Sequence, residues 1–470
     1  MKMLIHGEWV DREEKIDVLN PYDNELIDTV PSATAEDMIS AIDSAAEGFR
    51  INRELPVHRR IEILRATAEI IAERSEEFAK MIATEGSKTI REARKEASRA
   101  VQTMTVSAEE ARRVLGETIP FGSMAGSENR VGYYYRFPIG IIGAITPFND
   151  PLNLVAHKLG PAIAGGNSVV LKPATLTPLS ALKLGEALLE AGLPPEVLNI
   201  VTGYGHRIGD VLVTDERVRM VTFTGGAEAG LDILRKAGLK KIGMELGSNS
   251  PVIVMDDADL EQAVELSVSG AFSAAGQNCI GVQRIYIHGK VYNRFESNFV
   301  ERTEQIKTGH QLDERTDMGP MITEEEAARV EEWVKEAVEK GAKLLTGGKR
   351  KGTIFQPTVL AQVPEGVRVD CEEVFGPVVC LDKVTDLDEA VVRANSVRFG
   401  LQAGIFTRDI KTAFKAIKDL DVGGVMVNDS SDYRLDLMPF GGVKYSGLGR
   451  EGIKFALLEM TEPKVVCFNL

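Results

Sequence analysis

Four apolar runs between residues 139 and 225 constrain the fold more than any other feature of this chain. They are Ile139-Gly140-Ile141-Ile142-Gly143-Ala144-Ile145-Thr146, Ser168-Val169-Val170-Leu171-Lys172, Asn199-Ile200-Val201-Thr202-Gly203 and Met220-Val221-Thr222-Phe223-Thr224-Gly225. A strand with one wet face alternates polar and apolar residues. Strands without alternation are buried on both faces, as in a parallel sheet covered by helices. Helical stretches such as residues 179–191 separate the runs. The pattern predicts a doubly wound α/β domain, the usual host of a nucleotide, with ligands at the carboxyl ends of the strands. A second alternating unit begins near Pro251-Val252-Ile253-Val254 and includes a helix over 324–340 and Phe375-Gly376-Pro377-Val378-Val379.

The N-terminal part reads differently. Short strands and turns occupy residues 4–30, and Thr34 with Asp37 three residues on predicts a capped helix start. Ile61, Leu64, Ala68, Ile71, Ser75, Phe78 and Ile82 fall at alternating steps of three and four, which predicts one long helix ending at Gly86; another helix is predicted from about Ile90 to Leu115. The aromatic run Val131-Gly132-Tyr133-Tyr134-Tyr135-Arg136-Phe137-Pro138 reads as a β-ribbon. The C-terminal residues 463–470 are β-prone, an edge able to pair with that ribbon or with another subunit.

At 470 residues the chain has room for two to three domains. Its 55 Lys plus Arg against 70 Asp plus Glu leave a net charge of −15, which argues against nucleic acid or an anionic membrane surface as partner. No apolar run reaches membrane-spanning length and the first residues lack a signal-peptide core, so a cytoplasmic protein is expected. Four cysteines do not make a disulfide framework, and no Cys/His grouping has zinc spacing; no metal is expected.

Several residues are placed for chemistry. Cys279, in Ala275-Gly276-Gln277-Asn278-Cys279, follows a small-residue run at 267–274 that reads as a packed helix. It is a candidate nucleophile, although the pentapeptide alone leaves open an inert buried thiol, the commoner fate of a lone cysteine. Asn149, Lys172 and Gly225-Gly226 lie at strand carboxyl ends, and the turn from Phe223 to Gly230 would let backbone amides approach a pyrophosphate. Glu245, in Met244-Glu245-Leu246-Gly247-Ser248, is a carboxylate in an apolar, glycine-containing segment, which local evidence alone favours as a capping or ion-paired residue.

Together these segments resemble the aldehyde dehydrogenase superfamily over nearly the whole chain. The matching pieces are Pro147-Phe148-Asn149, Gly166-Asn167-Ser168-Val169-Val170-Leu171-Lys172-Pro173, Phe223-Thr224-Gly225, Glu245-Leu246-Gly247, Gly276-Gln277-Asn278-Cys279, Glu373-Val374-Phe375-Gly376-Pro377 and Pro439-Phe440-Gly441-Gly442-Val443-Lys444-Tyr445-Ser446-Gly447. Residues 427–440 are most similar to lactaldehyde and non-phosphorylating glyceraldehyde-type members.

The resemblance implies a Rossmann-type dinucleotide-binding domain over 1–119 and 139–244, an α/β catalytic domain over 245–445, and a β oligomerisation arm from 120–138 and 446–470, assembled as a homodimer or homotetramer. It implies oxidation of a short polar aldehyde to its carboxylate. Cys279 would be the nucleophile, and the Asn149 amide with the Cys279 N–H would hold the oxyanion. Glu245 would activate the water that hydrolyses the thioester, and Lys158 would help move protons. The cofactor would rest on Thr146, Pro147, Lys172, Thr175, Gly225, Gly226, Gly230, Leu246, Glu373 and Phe375.

NADP or NAD is implied, with NADP favoured because Thr175 stands where NAD-preferring relatives often carry glutamate. Asp150, Ile280 and Arg434 would face the substrate, Arg434 with Asn428, Ser430 and Ser431 forming a polar wall and Asp150 either repelling an anion or pairing with Arg434. Asp150, Gly226 and Ser248 depart from the common pattern without removing a catalytic group. The rival readings are a coenzyme A-acylating enzyme, against which Glu245 stands, and a non-catalytic structural relative, against which intact Cys279, Glu245 and Asn149 stand.

Overall fold

The computed structural model describes all 470 residues. The four apolar runs form the centre of an eight-stranded sheet, with strand order 8–10, 3–5, 198–200, 168–172, 141–145, 218–224, 241–245 and 447–448. The five inner strands are parallel and both edges are antiparallel. The chain builds outward from Ile141–Ile145 through Ser168–Lys172 to Leu198–Ile200. It then crosses back to add Val218–Thr224 and Lys241–Glu245 on the other side. The reversal opens a crevice at the carboxyl ends of Ile141–Ile145 and Val218–Thr224, where ligands of such sheets bind.

Helices α1 (Ala35–Glu54), α2 (Val57–Glu73), α3 (Ser75–Glu85) and α4 (Ile90–Glu110) precede this sheet. Within or beside it lie α5 (Asn153–Ala164), α6 (Leu179–Glu190), α7 (Gly205–Thr214) and α8 (Ala227–Lys236), and α9 (Leu260–Phe272) follows. The capping box of α1 is present, with Thr34 Oγ1 accepting from the Asp37 N–H and an Asp37 oxygen accepting from the Thr34 N–H. The single helix expected over 61–82 is two helices, because Arg74 leaves helical geometry at φ −104° and ψ 22°. Ser75, the polar member of the stripe, opens the second, which turns to pack on α4. Helix α4 ends at Glu110, short of the expected Leu115, in one 3₁₀ turn. Its Ala93, Ala97, Ala100 and Met104 are wholly buried, whereas Glu92, Glu96 and Arg99 recur at i, i+4 and i+7 and share another face.

A second, seven-stranded sheet has the order 343–346, 358–361, 378–384, 282–288, 250–254, 402–406 and 424–427, parallel except at its first pair. A three-stranded arm pairs Arg130–Pro138 between Thr461–Asn469 and Glu117–Ile119. The tail thus joins the aromatic ribbon, one of the two pairings left open. The arm differs from the expected 120–138 plus 446–470. It takes in residues 117–119, and residues 446–460 lie elsewhere: Gly447–Leu448 pairs with Lys241–Glu245, and a short helix, Ile453–Glu459, packs on α5. No helix is long and apolar enough to cross a membrane.

Candidate active site

Two clefts meet at Cys279. The larger, of about 790 Å³, opens at the strand-order reversal and is lined by Thr146, Pro147, Thr175, Gly225, Gly226, Leu246, Glu373 and Phe375 together with Asn149, Glu245 and Cys279. The smaller, of about 280 Å³, is lined by Asn149, Asp150, Cys279, Ile280 and Arg434 and by the polar face of α4. Asn149, Leu154, Gln277 and Cys279 belong to both.

The larger cleft has the chemistry a dinucleotide needs. The hydroxyls of Thr146 and Thr224, at the ends of the two strands flanking the crevice, are buried without partners. Helix α8 is preceded at its N-cap by Gly226, so no side chain caps its free amides, beside Gly225. Such an end, positive by its dipole, suits a pyrophosphate. Lys172 lies just outside the lining residues, at the end of its strand. Its ammonium donates to the Pro173 carbonyl at 3.0 Å, and burial lowers its pKa to about 8. Glu373 Oε1 accepts the Ser248 N–H at 2.8 Å, and burial of the carboxyl raises its pKa to about 7. That approach demands glycine at 247, where a Cβ would lie 2.1 Å from Glu373 Oε2. Gly230 does not line the cleft. It stands one turn into α8, where its missing side chain admits Leu246, so it shapes the wall from behind.

Cys279 is reached through an unusual turn. The helix expected over 267–274 ends at Phe272, and Ala274 (φ 52°, ψ 34°), Ala275 (φ 55°, ψ 38°) and Gly276 (φ 69°) are all left-handed. Left-handed geometry costs roughly 1–2 kcal/mol for each alanine, so packing and hydrogen bonds must impose it. A Cβ at Gly276 would lie 2.2 Å from the Gly376 carbonyl oxygen. Gln277 binds the Ala274 carbonyl through Nε2 (3.0 Å) and the Ile322 N–H through Oε1 (2.9 Å). Asn149 Nδ2 donates to the Gln277 carbonyl at 3.0 Å, while the Cys279 N–H has no acceptor in the chain. Burial pushes the Cys279 thiol up to about 12; Arg434 pulls it down, and Glu373, Glu245 and Asp150 push it further up.

Glu245 ends its strand with its carboxyl buried and Oε2 without a hydrogen bond. Burial and then the nearby Glu451 raise its pKa well above the usual carboxylate range. Lys158 lies outside both clefts, buried, and donates to Thr222 Oγ1 (3.0 Å) and Glu451 Oε1 (2.9 Å). Glu451 was not singled out from the sequence. Arg450-Glu451 follows a glycine-rich turn and carries no local signal beyond an acid flanked by glycines and apolar residues.

The substrate end differs from expectation. Asp150 does not pair with Arg434; it pairs with Lys88, which also binds Glu96 at 2.7 Å, and it lies 3.8 Å from Arg99, so two cations face it. Arg434 stacks its guanidinium 3.7 Å over Phe440 and reaches Glu451 at 3.4 Å, while its buried Nε has no partner. Asn428, Ser430 and Ser431 do not line the cleft. They bind the Thr407 N–H, Asp432 and the Ile280 carbonyl. The polar wall is instead Lys88, Glu92, Lys95, Glu96, Arg99, Asn278 and Asp432.

A sequence model described as the aldehyde dehydrogenase family matches residues 9–466. The chain is 49% identical to a 3-sulfolactaldehyde dehydrogenase of Priestia aryabhattai, covering 100% of this chain and 98% of the relative. Among solved structures, aldehyde dehydrogenase 21 of Physcomitrella patens in complex with its reaction product succinate is 42% identical, with a TM-score of 0.97, over 100% of this chain and 98% of that one. A glyceraldehyde-3-phosphate dehydrogenase of Methanocaldococcus jannaschii complexed with NADP is 41% identical, with a TM-score of 0.95, over 98% and 100%.

Proposed function

The chain belongs to the aldehyde dehydrogenase family and is an NAD(P)-dependent enzyme, and on that premise we propose that it oxidises a short aldehyde with a polar or anionic far end to the free carboxylate. The observation that carries this reading is Arg434, whose buried Nε is unpartnered in the small cleft that also holds Cys279. A long apolar aldehyde would leave that donor unpaired. A hydroxyl, carboxylate, sulfonate or phosphate would satisfy it, and a planar guanidinium is shaped to hold an anion. Lys88 and Arg99, both facing Asp150, weaken the repulsion such an anion would meet there. The similar proteins named above fit the same class: sulfolactaldehyde, glyceraldehyde 3-phosphate and the product succinate are all anionic.

In this reading the Cys279 thiol gives its proton to water in the cleft, Sγ attacks the carbonyl carbon, and the Asn149 amide and the free Cys279 N–H receive the oxyanion; one such donor contributes about 3–4 kcal/mol to the barrier. A nicotinamide held in the large cleft would supply the acceptor for the hydride that the tetrahedral carbon loses on becoming a thioester. Glu245 Oε2, unpartnered and with a raised proton affinity, then takes a proton from the water that splits the thioester. Lys158 and Glu451 hold charge near Glu245. The arm leaves Val465 and Phe468 of its terminal strand exposed. That edge supports a homodimer or homotetramer, which the solution mass measures directly.

The test is a substrate panel on the wild type and Arg434→Ala. The variant should lose about 2–3 kcal/mol in kcat/KM for anionic and hydroxylated aldehydes while sparing propanal and hexanal. An equal loss on every aldehyde makes Arg434 structural, and hexanal as the best wild-type substrate overturns the reading.

Cofactor choice has its own test. Thr175 lines the large cleft, uncharged, with its hydroxyl donating to the Gly203 carbonyl at 3.1 Å. It presents no charge against the 2′-phosphate of NADP, and Lys172 nearby supplies a cation. NADP should be used at least as well as NAD. Thr175→Glu should lower kcat/KM for NADP by about tenfold or more through like-charge repulsion. A wild type at least about tenfold better with NAD, unchanged by the substitution, overturns this.

A further inference from the structure

We propose that Glu92 is a positioning residue for Cys279: one carboxylate oxygen clamps the left-handed turn that delivers the nucleophile, and the other caps the helix that carries it. The inference rests on the reading of Cys279 as the nucleophile. Glu92 is the third residue of α4. Its Oε2 accepts from the Thr89 N–H at 2.8 Å and the Thr89 hydroxyl at 2.9 Å, completing a capping box. Its Oε1 reaches across to the Ala274 N–H at 2.9 Å, the first amide of the left-handed segment. Cys279 follows five residues later, beyond a turn whose two alanines have no intrinsic preference for that geometry. A carboxylate bond to a backbone amide is among the stronger hydrogen bonds, and here it acts at the first left-handed residue.

A second capping box in the same chain indicates why the residue is glutamate. Helix α1 closes its box with an aspartate, Asp37, at the same third position. Aspartate therefore suffices for the cap, and the additional methylene of Glu92 is needed for the reach to Ala274. The clamp joins α4, which packs on the helices of the first sheet, to the loop that enters the second sheet at Val282–His288. Glu92 also lines the small cleft, so the variants below separate its hold on the Ala274 N–H, read in kcat, from contact with the aldehyde, read in KM.

Glu92→Asp is the decisive variant, because it keeps the charge and the cap and loses the reach. It should lower kcat about 10- to 100-fold, the scale of a displaced reacting group, with KM for aldehyde within about threefold of wild type and the unfolding midpoint nearly unchanged. Glu92→Gln keeps one acceptor oxygen for two backbone donors, so accepting the Ala274 N–H turns its NH2 toward the Thr89 N–H; it should lower the unfolding midpoint yet retain more of kcat than Glu92→Asp. Thr89→Ala removes the capping hydroxyl and leaves the clamp, so it should lower the unfolding midpoint and hold kcat within about twofold. Wild-type kcat in Glu92→Asp overturns the proposal, as does a loss of kcat in Thr89→Ala equal to that in Glu92→Asp. Cys279→Ala measured alongside separates the two levels. If it retains turnover, the nucleophile reading itself fails; if it is inactive while Glu92→Asp is fully active, only the clamp fails.

Discussion

Cys279→Ala is expected to reduce aldehyde-dependent NAD(P)H formation by at least about 10³-fold while dinucleotide binding, read by quenching of protein fluorescence, persists. The large cleft is bounded mainly by residues other than Cys279, so the cofactor keeps its contacts when the thiol is removed. Cys371, Cys380 and Cys467 should each be replaceable with little change in kcat. Cys380 is buried in the second sheet, Cys467 lies on the arm, and Cys371 ends a short helix; none lines either cleft. The free enzyme also carries a pH signature. With the Cys279 thiol pushed up to about 12, it is almost wholly protonated at neutrality. Its alkylation by iodoacetamide should be slow and should rise about tenfold per pH unit through the neutral range, following the thiolate fraction. Substantial turnover in Cys279→Ala defeats the mechanism.

The second large effect belongs to Glu245. Glu245→Gln should give a rapid burst of NAD(P)H close to one equivalent per site, then steady turnover about 10²–10³-fold below wild type, because the thioester forms and is not hydrolysed. The sign of the pH effect follows from the raised proton affinity. Burial and Glu451 favour the protonated acid, so the basic form grows as pH rises, and wild-type deacylation should climb with pH until the carboxyl is fully ionised. The glutamine variant should lose that dependence. Loss of burst and turnover together gives Glu245 an earlier role, and acceleration of the wild type by coenzyme A favours acyl transfer over hydrolysis.

What was legible in the sequence follows from how each feature is encoded. The parallel strands are written in nearly every residue they contain, so residues 141–145, 168–172 and 218–224 form where the apolar runs lie. Cys279, Asn149 and Glu245 stand in short distinctive segments, and they line one cleft. The break at Arg74 is marked only by Ser75 within an otherwise regular stripe. The left-handed alanines carry no signature, because alanine reads as helical and the groups that hold Ala274 otherwise are Glu92, far away in sequence, and the Gln277 side chain, itself anchored on the distant Ile322. Arg434 was visible as a cation near the entrance, but its partner was not. Glu451 and Lys88 reach their positions through tertiary packing, and pairing between charges far apart in sequence leaves no periodic trace.

The strand that ends in Glu245 has Gly447 as its neighbour, and the Leu246 N–H binds the Ser446 carbonyl at 3.0 Å. The final stretch of chain therefore completes three separate places: the edge of the first sheet at 447–448, the packing on α5 at 453–459 and the arm at 461–469. Glu245 and the arm thus share one covalent support. A change that loosens residues 446–469 is felt at the sheet edge beside Glu245 as well as at the arm, so damage to the ribbon pairing should reach the cleft without touching any residue that lines it.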